Sequence, residues 1–289
     1  MAAPVRDRAR HIARQVKHRA FLAWKFKHLH LRHLEPFREA WQRRRPLPLE
    51  PDLLTTTFLA RDLPDEHDPH ATVPRVLWCI WAGENPLSPA RQASLARIRA
   101  VQTGLEVRLV TPANLAEHVL PEAPLHPAYE HLSLVHRSDY LRGYLLHHHG
   151  GAYTDVKRPL HAWDGVLEDF ERGGYWFAGY PEIVRTLIPE PEPFGNAMRR
   201  RSHLITGQGA FLARPRTPFT GEWIAEMHAR LDAAAPALEA HPGDVYGTSP
   251  GYPLGWVDLL ATITEPLEVK YAAHVLRDRR LRVDVRGYR

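Results

Sequence analysis

Residues 138–157 read Ser-Asp-Tyr-Leu-Arg-Gly-Tyr-Leu-Leu-His-His-His-Gly-Gly-Ala-Tyr-Thr-Asp-Val-Lys. No other stretch constrains the fold as tightly. The first part has the spacing of an amphipathic helix. Gly150 and Gly151 supply the left-handed backbone that ends a helix and turns the chain. Ala152-Tyr153-Thr154 is then a short strand that closes on Asp155. Asp139 and Arg142 are three apart and share one helix face. A helix that folds back through a Gly-Gly turn onto a strand brings both near Asp155. Two carboxylates and a guanidinium on one small volume suit a ligand carrying phosphate and hydroxyl groups.

The ordered set Ser-Asp-x-x-Arg, helix, Gly-Gly, aromatic-x-Asp resembles the donor site of bacterial DXD-type glycosyltransferases. The nearest branches are those of capsular polysaccharide synthesis and the mannosyltransferase-like enzymes. The resemblance is good over residues 73–160 and weak beyond. It implies a GT-A-like, Rossmann-type α/β fold, with a mixed, mainly parallel sheet that binds a nucleotide-diphosphate sugar. It implies a glycan or lipid-linked acceptor, with Asp139 and Arg142 on the donor sugar and phosphate. It also implies Asp155 as the catalytic residue and as ligand to Mn²⁺ or Mg²⁺, or as a direct donor contact. Those families carry a second acid two positions on. Here that position is Lys157, so the motif reads Asp-Val-Lys. Lys157 is either a fixed cation for the leaving diphosphate or a solvated surface residue.

The surrounding pattern is that of alternating strands and helices. Residues 76–81, Val-Leu-Trp-Cys-Ile-Trp, form an apolar run suited to a buried strand. Leu95, Ile98 and Val101 give a helix over 88–103 its apolar face, and 105–111 is a second strand. Strand, helix, strand in this order predicts a parallel pair with a right-handed crossover. The helix is expected over 132–149. Further on, 204–213 reads as a strand, 221–235 as a helix and 269–275 as a late strand containing His274.

Other donor contacts are expected from Trp81 at the end of the first strand, which can stack on a base or belong to the core, and from Tyr153. The loop 246–253, with Gly247 and Ser249, is read as a cover over the diphosphate. Asp258 is a candidate acceptor-side base, and His274 is a late ligand or a packed histidine. His147, His148 and His149 are consecutive and point in different directions on a helix, so they do not chelate one ion. They sit where a helix C-terminus favours positive charge. No phosphate-binding Gly-x-x-x-x-Gly-Lys-Ser/Thr loop, no Gly-x-Gly-x-x-Gly and no Gly-x-Ser-x-Gly elbow occurs.

Charge divides the chain. Residues 1–50 hold 13 Lys and Arg against four Asp and Glu, or +9, whereas the whole chain is +5, which leaves −4 on residues 51–289. Residues 5–45 read as basic amphipathic helix, suited either to an anionic membrane surface or to packing on the body of the protein. No nucleic-acid recognition motif accompanies the charge. Pro46, Pro48 and Pro51 mark a stiff joint, 51–72 reads as a linker, and 73–289 is the transferase domain, with a donor half to 160 and an acceptor half beyond. No run of about 18 apolar residues occurs, and the N-terminus lacks a secretory core. A cytoplasmic protein, peripheral on the inner membrane face, is the expectation. The one cysteine, Cys79, lies in the apolar strand and reads as a buried small hydrophobe.

Overall fold

The computed structural model describes residues 40–41, 44, 47–61, 71–182 and 193–284. Most of the basic extension lies outside the described residues, as do 62–70 and 183–192. The chain divides into two units, residues 1–48 and 49–289. The sheet and the helices around it belong to the second.

Eight strands are assigned among its described residues: β1 Val76–Ile80, β2 Glu106–Val110, β3 Gly151–Thr154, β4 Arg158–Pro159, β5 Phe177–Pro181, β6 Thr206–Ala213, β7 Val275–Arg277 and β8 Val283–Asp284. Six of them form one sheet in the order β2-β1-β3-β6-β5-β7, and β4 pairs with β8 apart. The β1–β2, β1–β3 and β5–β7 pairings are parallel; β6 runs antiparallel to β3 and β5. The architecture is α/β with a mixed, mostly parallel sheet, compatible with a Rossmann-like fold.

The helices are α1 Pro51–Thr56, α2 Pro89–Val101, α3 Leu134–His148, α4 Asp164–Arg172, α5 Gly195–Arg200, α6 Pro218–Ala240 and α7 Ala261–Lys270. Strand side chains alternate between two cores, as the period of two requires. Trp78, Ile80, Tyr153, Phe177 and Phe211 join residues of α3, α6 and α7 in one core. Leu77, Cys79, Ala152, Ala178 and Leu212 join residues of α2 and α4 in the other. A sheet covered on both faces explains why its strands read as nearly continuous apolar runs.

Three expectations need correction. Residues 51–60 are not a loose linker. Pro51 opens α1, where its missing N–H costs nothing, and Leu53 and Leu59 are buried in the first core. Residues 269–275 are not one strand: α7 ends at Lys270, a short 3₁₀ turn spans Ala272–His274, and β7 starts at Val275. The helix expected over 221–235 runs the full length of α6, opened by a capping box between Thr217 and Thr220. No helix among the described residues is long and apolar enough to cross a membrane.

Candidate functional site

The helix α3 is capped by Ser133, whose hydroxyl accepts from the His136 N–H. Residues 139–146 are all buried against the sheet and α6. The helix stops where Gly150 adopts φ +69°, followed by Gly151 at φ +96°. A β-carbon on Gly151 would lie 2.7 Å from the Val76 carbonyl oxygen, so this turn excludes side chains by space as well as by torsion. The Trp78 indole donates to the Gly150 carbonyl at 2.9 Å and ties the turn to β1. The chain then runs through β3 and delivers Asp155 at the carboxyl end of the parallel strands, where open α/β sheets bind ligands.

Asp139, Arg142, Tyr153, Asp155 and Lys157 converge there. Arg142 Nη2 lies 3.2 Å from Asp139 Oδ1 and 3.3 Å from Asp155 Oδ1. Its Nη1 donates to the Gln208 carbonyl at 2.6 Å, and its guanidinium sits 4.3 Å above the Tyr153 ring. The Tyr153 hydroxyl donates to Asp155 Oδ1 at 2.8 Å, and Lys157 Nζ donates to Oδ2 at 2.6 Å. The Asp155 backbone N–H is fixed by the Gly209 carbonyl at 3.0 Å.

The cluster has a buried side and an open side. The side chains of Asp139 and Arg142 are 7% and 6% exposed, whereas Asp155 and Lys157 are 24% and 16% exposed. Tyr153 is buried. Asp139, Arg142 and Tyr153 lie on the buried side of Asp155, and Asp155 and Lys157 form the open face of the cluster.

The two carboxylates differ because their partners differ. Burial alone would raise both. At Asp155 the charges of Lys157 and Arg142, with hydrogen bonds from Lys157 and Tyr153, outweigh burial and hold the carboxyl below its ordinary range. Asp139 has an ion pair with the shared Arg142. Burial wins there, with Asp155 adding repulsion, and its pKa is pushed up to about 6.

Both oxygens of Asp155 are thus committed to Tyr153, Arg142 and Lys157. A divalent cation at this carboxylate would take the remaining lone pair of Oδ2 or displace one of these partners. Among the described residues no group of three His, Cys, Asp or Glu side chains is placed to hold a metal.

The remaining expected residues lie elsewhere. Trp81 directly follows β1, and its indole donates to the Asn85 carbonyl at 2.6 Å. Ser249 donates to the Pro242 carbonyl at 2.9 Å, and Gly247, at φ +69°, packs against Tyr252. From Leu231 to Val269 the chain has no Lys or Arg and six Asp and Glu. The loop 246–253 itself carries no charged side chain, and its serine is committed internally. Asp258 caps its own turn by accepting from the Gly255 N–H at 2.6 Å, and His274 stacks on Trp176 at 3.8 Å between ring centroids. His147 meets the Thr220 hydroxyl and His149 meets the His118 carbonyl, in separate directions.

Sequence reasoning missed Gln208, Gly209 and Tyr180, whose hydroxyl accepts from the Gly209 N–H at 3.3 Å. The available signal was Gly207-Gln208-Gly209 inside a strand, since glycine there marks close approach of another group. A separate cleft of about 410 Å³ lies along the edge strand β2, lined by Glu106, Arg108, Asn114 and His118 among others. None of the Asp155 cluster lines it. Comparison of the chain with known protein families, curated proteins and solved structures finds no match.

Proposed function

We propose that the protein is a glycosyltransferase that moves a sugar from a nucleotide-diphosphate donor to a hydroxyl of a cell-surface polysaccharide or lipid-linked glycan. One observation carries the reading: at the carboxyl end of β3, Asp155 is fixed between the cations of Arg142 and Lys157. The resemblance of residues 73–160 to DXD-type transferases agrees with it. Asp155 accepts hydrogen bonds from donor hydroxyls, and Lys157 offsets the charge that develops on the departing diphosphate. Arg142 supplies further positive field from the buried side. Prearranged charge of this kind costs no reorganisation during reaction, and positioning supplies much of the remaining rate. No step requires a metal. The enzyme works at the cytoplasmic side of the membrane, with the basic residues 5–45 as its contact with anionic lipid.

A second reading is a non-catalytic module that binds nucleotide sugars or glycans within a polysaccharide assembly. The lysine standing where the second acid of the motif belongs favours it.

Release of nucleoside diphosphate without acceptor separates the two. UDP-glucose, UDP-galactose, UDP-N-acetylglucosamine and GDP-mannose are incubated with the full chain in EDTA and in Mn²⁺. The transferase reading expects slow release from one donor, lost in Asp155→Asn and indifferent to EDTA. Binding without release supports the module instead, and neither binding nor release contradicts both.

A further inference from the structure

The connection between α6 and α7 is built more firmly than a plain linker requires. The Asp244 carboxylate accepts from the N–H groups of Tyr246 and Thr248 at 3.0 and 2.8 Å and from the Thr248 hydroxyl at 2.8 Å. The Leu134 and Val135 N–H groups, in the first turn of α3, donate to the Asp244 and Val245 carbonyls at 3.3 Å. Further on, the Ser133 N–H donates to the Tyr252 hydroxyl, which donates in turn to His136 Nδ1 at 2.8 Å. His136 Nε2 donates to the Gly255 carbonyl at 2.9 Å, and the Tyr252 and His136 rings stack. Both ends of the loop are therefore fastened to the start of α3. His136 lies one turn before Asp139 on α3.

This fixed frame holds large apolar side chains in water. Tyr246 is 60% exposed, Trp256 59% and Val245 50%. Of the described residues of this unit, the one other large hydrophobic so exposed is Leu160. Exposed aromatics gathered on one rigid element mark a binding surface more often than scattered single residues do. The charge of the segment selects the ligand. The loop 243–258 carries two acids, Asp244 and Asp258, and no Lys or Arg, so it offers no cation to a diphosphate or an anionic lipid surface. Aromatic ring faces carry negative quadrupole density and attract C–H bonds, which one face of a pyranose presents in number.

We infer that the loop 243–258 is a binding site for a neutral oligosaccharide, stacked on Trp256 and Tyr246 and leading toward the Asp139–Asp155 cluster. As the acceptor chain of a transferase, this ligand rests on the function proposed above; as a glycan site, it is testable by itself.

The test uses the full chain, titrated with mannohexaose, maltohexaose, cellohexaose and chitohexaose and followed by tryptophan fluorescence and ligand-observed NMR. Three proteins are compared: wild type, the double variant Tyr246→Ala/Trp256→Ala, and Asp155→Asn. Both aromatic positions are more than half exposed, so the double variant keeps its fold, which an unchanged melting temperature verifies. The expected result is millimolar or tighter binding of at least one hexasaccharide, weakened about tenfold or more in the double variant and preserved in Asp155→Asn. No binding of any hexasaccharide overturns the inference, as does equal binding by wild type and the double variant. Loss of UDP or GDP binding, or of phosphatidylglycerol vesicle binding, in the double variant also overturns it. Donor binding is lost or kept through Asp155, so failure of the donor reading leaves this result legible.

Discussion

The unequal treatment of the two site carboxylates yields a prediction with a definite sign. Asp139 titrates at about 6 when folded, against an ordinary 3.8. A group whose folded pKa lies above its unfolded value binds protons more tightly in the native state. Its ionisation therefore opposes folding at neutral pH, and the penalty is relieved as pH falls through 6 and is fully gone below about 4. The shift of roughly two units corresponds to about 3 kcal/mol in total. Between pH 7 and pH 5 the relief is about 1.4 kcal/mol by the same linkage. For a chain of this size that raises the melting temperature by about 3–6 °C. Asp139→Asn removes the titration and keeps the shape, so the variant lacks this gain. Other groups titrate in the same window. Burial holds His147 down to about 3 and His148 down to about 4, and their contribution runs the opposite way. The difference between wild type and variant cancels them. The assay is thermal denaturation of both proteins at pH 7 and pH 5. Identical pH slopes, or a wild type that loses stability relative to Asp139→Asn on acidification, would refute the reasoning.

Three further outcomes rest on the same geometry. Arg142→Met strands two carboxylates beneath Lys157 and costs about 3–5 kcal/mol, a fall in melting temperature on the order of 10 °C; a loss under about 1 kcal/mol sinks the view that Arg142 organises the cluster. Gly151→Ala, forced to φ +96° with its β-carbon on the Val76 carbonyl, destabilises by about 1–3 kcal/mol from backbone strain alone, which urea titration measures. Cys79 is buried with its thiol pushed up to about 12, so Ellman's reagent finds no reactive thiol in the native protein and one after denaturation.

The run from α3 through Gly150 and Gly151 into β3 was legible because helical period, left-handed glycines and a terminal acid are all local signals. The parallel pairing of β1 with β2 followed from element order, and the burial of Cys79 from its apolar neighbours. What stayed hidden depends on distant contacts. The helix α7 contains Thr262, Ile263, Thr264 and Pro266, residues that argue against a helix, and burial between the sheet and α6 overrides them. Gln208 and Gly209 reach the cluster only because β6 enters antiparallel beside β3. Glu268 reads as a surface acid, yet it is buried, accepts from the Thr206 N–H at 2.6 Å and from its hydroxyl at 2.5 Å, and has its pKa driven by burial to about 8. Spacing of two puts Lys157 on the face of Asp155; the structure adds the closure of its ammonium on Oδ2 at 2.6 Å, which bears on whether a metal is used.

The central claim is that Asp155 and Lys157 form a donor site that works without a divalent cation. Isothermal titration of the full chain with UDP-glucose, UDP-galactose, UDP-N-acetylglucosamine and GDP-mannose, in EDTA, tests it most directly, with Asp155→Asn and Lys157→Ala alongside. The account predicts that one donor binds in EDTA, that both variants lose most of that binding, and that added Mn²⁺ changes little. Binding that appears only with Mn²⁺, or that survives in Asp155→Asn, would contradict it.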